Sequence, residues 1–309
     1  MSEPVWVLHH YEASPYAEKV RLLLGMAGAH WHSALVPTML PRPALAELAG
    51  GYRRIPVMQR GADLYCDSAL IASEIASVYK RTDLSPAGVP SAQRELVNRI
   101  EASVFFSAIG SVKPLKLLWS LTKLLGPAGA FRFVKDRQSL MQGAKVKPAS
   151  GSSAAEIYRV FLNDLEQNLA EQSWCAGDAP SYADAALYHA IWLHRLSGGN
   201  QHFKEHPKVG DWFDRVSHLG HGQRTEADDG FALQQAKHHE PADIPGDWLR
   251  DHLLGLEVDV LPADYGRLPV SGKVVGISGD RIVLRRESES LGITHVHFPR
   301  AGYEIQIRN

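Results

Sequence analysis

Residues 12–21, Glu-Ala-Ser-Pro-Tyr-Ala-Glu-Lys-Val-Arg, join a segment typical of a β-strand to one typical of an α-helix. The apolar run at residues 5–8 has the length and composition of a strand. Apolar residues then recur at helical spacing over residues 20–27. Ser14 suits the N-cap and Pro15 the first helical position, where no N–H is needed. The pattern predicts a helix whose N-terminus carries a hydroxyl and can stabilise an anion, with simple capping by Ser14 as the alternative.

The first 80 residues alternate strand-like and helix-like pieces. A second strand is predicted at residues 31–36, a short helix at 44–48, and a hairpin with a turn at 61–63. Asp67-Ser68 opens a third helix with a buried apolar side. The resulting order is β-α-β-α-β-β-α, with Pro56 entering the third strand. This order is the layout of a thioredoxin-like α/β domain.

The composition excludes several broad classes of protein. The chain has 309 residues, 45% of them hydrophobic, enough for one large domain or two to three smaller ones. Its net charge of −1 gives no global field that would attract nucleic acid or a membrane surface. No membrane span and no export signal are predicted. Two cysteines, Cys66 and Cys175, make no disulfide framework, so the reducing cytoplasm is the expected location.

Three motifs in the first 80 residues resemble the N-terminal domain of the glutathione transferase superfamily. Ser14-Pro15-Tyr16 is similar to the serine or cysteine motif at the start of the first helix. Ile55-Pro56 is similar to the aliphatic-Pro pair that is cis in the superfamily, and Asp67-Ser68 to its acidic-Ser pair. Residues 39–43 and 52–56 further resemble a poorly characterised bacterial and fungal branch with an extended C-terminus.

The resemblance implies a serine-type enzyme that binds glutathione as co-substrate. Ser14 would donate a hydrogen bond to the glutathione thiolate, and Ile55 before cis-Pro56 would pair its backbone with the cysteinyl part. Asp67 would bind the γ-glutamyl ammonium and Ser68 the adjacent carboxylate. Arg42 or Arg54 would hold the glycyl carboxylate. Such an enzyme would conjugate or isomerise a small electrophile, and relatives imply a homodimer.

The remaining chain divides into a linker, a helical domain and a small β module. Residues 1–81 are expected to form the thioredoxin-like domain, residues 90–240 an all-α transferase-like domain, and residues 247–309 an antiparallel β module packed on that helical domain. Residues 111–148 carry eight basic residues and one acid, a net charge of +7. This insertion is interpreted as a lengthened helix and loop beside the substrate cleft, with an amphipathic patch for anionic lipid or an acidic partner as the alternative.

The histidines do not predict a metal site. His202 and His206 have a helical spacing, and His295 and His297 a strand spacing, that can bind zinc. No cysteine or carboxylate joins either pair in the sequence, so no metal is expected. His10 lies near Ser14 and, like its neighbour Tyr11, is a candidate assistant, although residues at strand ends more often serve packing.

Two functions of different classes fit these patterns. The first is the glutathione transferase-like enzyme, with Ser14 as its catalytic residue. The alternative is a non-catalytic scaffold with the transferase fold, which the basic insertion and the added β module keep open. A cysteine at position 14 would have suggested thiol–disulfide exchange, and the serine argues against it.

Overall fold

Ten strands form one continuous sheet within residues 4–199 and 202–308, the part of the chain that this computed structural model describes. Their order across the sheet is β10-β6-β7-β8-β9-β4-β3-β1-β2-β5. The strands are β1 (Trp6–His10), β2 (His30–Leu35), β3 (Val57–Arg60), β4 (Asp63–Cys66), β5 (Gln223–Ala227), β6 (Glu257–Pro262), β7 (Val270–Ile277), β8 (Arg281–Ser288), β9 (Gly292–Pro299) and β10 (Tyr303–Ile307).

The helices flank this sheet and build the second domain. They are α1 (Pro15–Met26), α2 (Pro43–Ala49), α3 (Ser68–Val78), α4 (Ser91–Arg99), α5 (Phe105–Gly110), α6 (Pro114–Met141), α7 (Gly151–Glu171), α8 (Tyr182–Leu196), α9 (Pro207–Ser217) and α10 (Asp229–His238). A π-helical turn, Ile100–Val104, joins α4 to α5. The predicted linker contains two short 3-10 turns, Thr82–Leu84 and Pro86–Gly88.

The predicted thioredoxin-like order is confirmed. β1 runs parallel to β2 and antiparallel to β3, and β3 runs antiparallel to β4. Side chains of β1 alternate between two cores, as the period of a strand requires. Leu8 packs in one core with Leu23 of α1 and Leu165 of the helical domain. Val7 packs in the other with Val296 of the C-terminal strands, so the central sheet is buried on both faces.

The C-terminal β module extends the thioredoxin-like sheet. Strands β6 to β10 form antiparallel pairs among themselves, and β9 pairs parallel with β4 through Asp63–His295, Leu64–Val296 and Tyr65–His297. The expectation that the module packs on the helical domain is therefore wrong, because the module is attached mainly to the thioredoxin-like sheet. β4 is an edge strand of the first domain, and its open backbone groups are satisfied by β9. The module also contacts the helical domain through the loop around residues 264–266, which is hydrogen-bonded to Leu140 of α6 and to Lys145 just after that helix.

Residues 223–240, which the sequence pattern groups with the helical domain, lie against the thioredoxin-like sheet. β5 pairs parallel with β2 at its outer edge, and α10 packs against α2 and β3. The sequence Gln-Arg-Thr-Glu-Ala of β5 is polar on both faces, and each of its residues is exposed or partly exposed. Such a strand has no hydrophobic alternation from which it could be predicted.

Helix α6 occupies the region of the basic insertion. It breaks at Gly126, whose φ of 72° is left-handed, directly before Pro127. Arg53 anchors its second half to the first domain by donating to the backbone oxygen of Asp136 at 2.9 Å. The first half exposes Leu115 and Trp119, which are 83% and 65% accessible.

No single helix among residues 4–199 and 202–308 is long and apolar enough to cross a membrane. The pair Ser91–Gly110 and Pro114–Met141 reaches the required length and hydropathy only jointly, and it is bent by 90°.

Candidate functional site

Three chain segments meet at one end of the thioredoxin-like sheet. β1 ends at His10, β3 begins at Val57 and β4 ends at Cys66, and the register pairs His9 with Val57 and Val57 with Cys66. The segments leaving or entering these strands therefore lie side by side. They carry five of the predicted site residues: Ser14, Ile55, Pro56, Asp67 and Ser68. The peptide bond between Ile55 and Pro56 is cis.

Ser14 is the N-cap of α1. Its Oγ accepts a hydrogen bond from the N–H of Ala17 at 3.3 Å, and its backbone oxygen accepts from Glu18 at 2.9 Å. The side chain is buried, with 1% of its surface accessible. This capping contact uses a lone pair of the hydroxyl oxygen, so the hydroxyl proton remains available for donation. The N–H of Ala17, in the first turn of α1, is used by this cap.

Asp67 is the N-cap of α3 and has an unusual backbone. Its φ of 80° lies in the left-handed region, which costs a residue other than glycine about 1–3 kcal/mol. One carboxylate oxygen accepts from the N–H of Ala69 at 2.8 Å, and the other accepts from the Tyr303 hydroxyl at 3.4 Å. Asp67 is half-buried and Ser68 is buried at the first position of the helix. Strained positions of this kind cluster at functional sites, which makes Asp67 a candidate ligand-binding residue.

Two carboxylates share the electrostatic environment around Asp67. Burial raises the pKa of Asp67 above its usual value, and the negative charge of Glu101 raises it further, against the lowering influence of Ala69, Lys19 and Arg54. Glu101 lies on the π-helical turn between α4 and α5, is exposed, and accepts a hydrogen bond from Lys19 at 3.4 Å. A cation bound beside Asp67 would stabilise its ionised form. The arrangement is therefore suited to an ammonium group.

Arg42 does not lie open to a ligand. Its guanidinium donates to the backbone oxygens of Pro37, Arg53 and Thr38 at 2.8, 2.7 and 3.0 Å. Burial lowers its pKa to about 10, and the side chain is 6% exposed. These contacts fix the loop before α2. The structure therefore gives Arg42 a structural role in place of the expected carboxylate-binding role.

Arg54 is engaged by the C-terminal module. Its Nη2 donates to the Asp264 carboxylate and to the backbone oxygen of Tyr265, and its guanidinium stacks on the Tyr265 ring at 4.1 Å. The Asp264 carboxylate thus takes the place expected for the glycyl carboxylate of a ligand. The Nε of Arg54 has no hydrogen-bond partner among residues 4–199 and 202–308, although it is buried. Arg54 therefore keeps a buried, unused donor at Nε.

Tyrosines of the C-terminal module complete the wall of the site. The Tyr265 hydroxyl is hydrogen-bonded to that of Tyr16, in the first turn of α1. The Tyr303 hydroxyl lies 2.6 Å from that of Tyr52, and it also donates to Asp67. Sequence patterns did not identify Glu101, Asp264, Tyr265 or Tyr303. Only the turn-forming Asp-Tyr-Gly at 264–266 carries a local signal, and that signal predicts a turn without predicting what it covers.

His10 is not free to assist Ser14, because both of its ring nitrogens are hydrogen-bonded to other residues. Its Nδ1 accepts from Arg21 at 3.0 Å, and its Nε2 donates to the Ser33 hydroxyl at 3.0 Å. Burial and the charge of Arg21 lower its pKa to about 3, so the ring is neutral near pH 7. Both nitrogens are used, and His10 contributes to the stability of the β1–β2 pair. Tyr11 supplies its backbone oxygen to the N–H of Ser14 at 3.0 Å.

The two histidine pairs have different surroundings. The side chain of His202 lies outside the described residues, and His206 donates from Nε2 to Asn163 at 2.8 Å. His295 and His297 face the buried carboxylate of Asp63. The structure thus joins to the second pair the carboxylate that was missing from the sequence pattern.

Comparison with known proteins agrees with the fold. Residues 8–82 match the model of the glutathione S-transferase N-terminal domain, and residues 123–219 match that of the glutathione S-transferase C-terminal domain. No curated protein matches the chain. A GST-like protein from Pseudomonas syringae is 29% identical, with a TM-score of 0.74 and coverage of 100% of both chains, so the likeness includes the C-terminal strands.

More distant structures share a smaller part of the chain. A glutathione S-transferase from Rhodospirillum rubrum is 20% identical, with a TM-score of 0.46, and covers 69% of this chain and 87% of its own. Rice GST1, solved in complex with glutathione, is 15% identical, with a TM-score of 0.47, and covers 70% of this chain and 88% of its own. The two domain matches together span more than half of the 309 residues, and the chain belongs to the glutathione transferase superfamily.

Proposed function

We propose that the chain binds glutathione at the end of the sheet where Ser14, Pro56 and Asp67 meet, and that it activates the glutathione thiol for conjugation to, or isomerisation of, a small electrophile. The observation that carries this proposal is the convergence itself. The register of β1, β3 and β4 brings the N-termini of α1 and α3 to one edge. Two helix N-termini at one groove favour a ligand with two negatively charged groups, such as a thiolate and a carboxylate.

Ser14 is the proposed catalytic residue. An unperturbed thiol has a pKa of about 8.5, and the thiolate is the nucleophile. The N-terminus of the 12-residue helix α1 and a hydrogen bond from the Ser14 hydroxyl would both favour the thiolate. Each unit by which the pKa falls requires about 1.4 kcal/mol of added stabilisation of the anion.

Asp67 and Glu101 are the proposed partners of the γ-glutamyl ammonium. Asp67 has a raised pKa, and Glu101 is one of the causes. A bound ammonium would relieve this repulsion and lower the pKa of Asp67, so binding and ionisation of the carboxyl would support each other. The adjacent γ-glutamyl carboxylate would meet Ser68 at the start of α3.

Arg54 is the proposed partner of the glycyl carboxylate, and Asp264 is its intramolecular competitor. Glutathione would use the free Nε donor of Arg54 or displace Asp264 from Nη2. Side chains of Asp264 and Arg54 are 41% and 16% exposed, so this ion pair is close enough to solvent to exchange partners. Ile55 is half-buried before cis-Pro56 and would offer its backbone to the cysteinyl part.

A non-catalytic scaffold is the second candidate, and the contacts of the C-terminal module favour it. Asp264 and Tyr303 already bind Arg54 and Asp67, which are two of the polar groups needed for glutathione. In a scaffold these contacts would be permanent. The two candidates therefore differ in whether glutathione can replace them.

Titration calorimetry with glutathione on the wild type and Asp264→Ala separates the two candidates. We expect the wild type to bind glutathione and Asp264→Ala to bind it about 1.4- to 5-fold more tightly, because a partly exposed ion pair contributes about 0.2–1 kcal/mol. Asp280→Ala removes an exposed carboxylate from a turn of the same module and should leave the affinity unchanged. Absence of binding in both proteins would contradict the enzyme and favour the scaffold.

A further inference from the structure

The parallel pairing of β4 with β9 gathers three metal-binding side chains on one face of the sheet. Asp63 is the register partner of His295, and Tyr65 is the partner of His297. Because side chains alternate along a strand, His295 and His297 point to the same face, and register partners share that face. All three side chains are buried, with Asp63, His295 and His297 4%, 9% and 5% exposed. They lie at the end of β4 opposite to Asp67.

The three groups have the separations that a small metal ion requires. Oδ1 of Asp63 lies 2.8 Å from Nε2 of His297 and 3.8 Å from Nδ1 of His295. All three atoms lie within 4.8 Å of one another. Four ligand atoms arranged as a tetrahedron, each about 2.0 Å from zinc, are about 3.3 Å apart. The two distances to Asp63 bracket this value. The separation of the two histidine nitrogens is at most 4.8 Å, so they would have to approach each other by up to about 1.5 Å to complete the geometry.

Two further observations indicate that the cluster is built to hold a ligand. Nδ1 of His295 is buried and has no hydrogen-bond partner within residues 4–199 and 202–308. A buried polar atom without a partner destabilises the folded state, and coordination to a metal would remove that cost. Oδ2 of Asp63 accepts from the backbone N–H of Ala242 at 2.8 Å, which orients Oδ1 towards the two histidines.

We propose that Asp63, His295 and His297 bind a divalent transition-metal ion, with Zn²⁺ as the best-fitting member of that class. Two imidazole nitrogens and one carboxylate oxygen are ligands that zinc takes in proteins, and water would fill the fourth position. Nε2 of His297 donates to the Asp63 carboxylate in the absence of an ion. Binding the ion through Nε2 would require the tautomer that carries its ring proton on Nδ1, because that tautomer leaves the lone pair of Nε2 free.

The charges around the cluster are compatible with a cation. Two arginines on the adjacent strands flank the cluster. Arg285 on β8 is the register partner of His295, and its guanidinium is paired with Glu287 at 3.1 Å. Arg60 on β3 is the register partner of Asp63, and its guanidinium lies over the Trp6 ring at 5.5 Å. The carboxylate of Asp63 would reduce the charge of the bound ion to +1. The ion would also link β4 to β9, which are the strands that join the C-terminal module to the first domain. The site would therefore stabilise the attachment of the module, independently of glutathione chemistry.

Titration of the chelator-treated full chain with ZnCl₂ tests the proposal. We expect one ion per chain and a midpoint of thermal unfolding that rises with zinc concentration, because the ion binds the folded state. His295→Ala removes one of three ligands without breaking a hydrogen bond of Nδ1, and should weaken zinc binding by about tenfold or more. His252→Ala, which changes a histidine whose side chain is 83% exposed, is the matched control and should bind zinc like the wild type.

Anomalous diffraction at the zinc edge on wild-type crystals gives a second test that needs no variant. A peak between the three side chains supports the site. Zinc binding that is equally strong in His295→Ala, or a wild type that binds no zinc, or a peak at another position, would overturn the proposal. Parallel titration with Co²⁺, whose visible absorption depends on its ligands, would then identify which other groups hold the ion.

Discussion

Replacing Ser14 with alanine is expected to lower glutathione-dependent turnover by about 100-fold, because a single preorganised donor to a developing or bound anion contributes about that much. Glutathione affinity should change little, since Asp67, Ser68 and Arg54 remain in place. Turnover can be measured with a reactive aryl halide as the electrophile. The loss of the capping contact to Ala17, at 3.3 Å, should cost about 1 kcal/mol of stability or less.

The matched control for Ser14→Ala is a cap far from the site. Asp228→Ala removes the side-chain cap of α10, which accepts from the N–H of Phe231 at 2.8 Å. It should lower the stability by a similar amount and leave turnover unchanged. Equal turnover in Ser14→Ala and the wild type would show that Ser14 acts only as a helix cap.

Replacing Asp67 with asparagine should weaken glutathione binding by about 10- to 100-fold, because a charge-assisted contact to the ligand ammonium contributes about 1.5–3 kcal/mol. Asparagine tolerates the left-handed backbone of this position and can still accept from Ala69. Burial and Glu101 disfavour the ionised form of Asp67 in the free protein, so the neutral amide should not lower the free energy of unfolding. Calorimetry and thermal unfolding measure the two effects separately.

The pH dependence of glutathione affinity tests the role of Asp67 in a second way. The ammonium requires the ionised carboxyl, and the pKa of that carboxyl lies above its usual value in the free protein. Wild-type affinity should therefore fall as the pH falls through that raised pKa, and Asp67→Asn should lack this decline. Asp83→Asn, at an exposed pair with Arg81, should bind like the wild type. Unchanged affinity in Asp67→Asn would remove Asp67 from the glutathione site.

Local patterns were sufficient to predict the thioredoxin-like order. The cap Ser14-Pro15, the helical spacing after it and the Pro56 that enters β3 are properties of short stretches. The structure contains the corresponding helix α1 and strand β3. The alternation of apolar and polar residues also predicts strands in the C-terminal module, but it does not determine which strands pair with one another. The pairing of β9 with β4 joins residues far apart in the sequence, and it depends on β4 being an unpaired edge strand of the thioredoxin-like sheet.

Parts of the candidate glutathione site and of the proposed metal site could not be predicted from the sequence, because they depend on long-range contacts. Asp63 opens a short strand and His295 lies more than 200 residues later, and only the register between their strands brings them together. Glu101 belongs to the π-helical turn between α4 and α5, and one inserted residue in a helical turn leaves no clear periodic signal. The residue type of Arg42 suggests a ligand-binding group, whereas its contacts depend on three carbonyl oxygens that the fold places around it.

The central claim is that the Ser14 hydroxyl meets the sulfur of bound glutathione. An ultraviolet titration of the thiolate of enzyme-bound glutathione against pH tests this claim without any knowledge of the electrophile. We predict a thiol pKa at least about one unit below the free value of about 8.5 in the wild type, returning towards that value in Ser14→Ala. A bound thiol that titrates near 8.5 in the wild type, or that titrates identically in both proteins, would contradict the account.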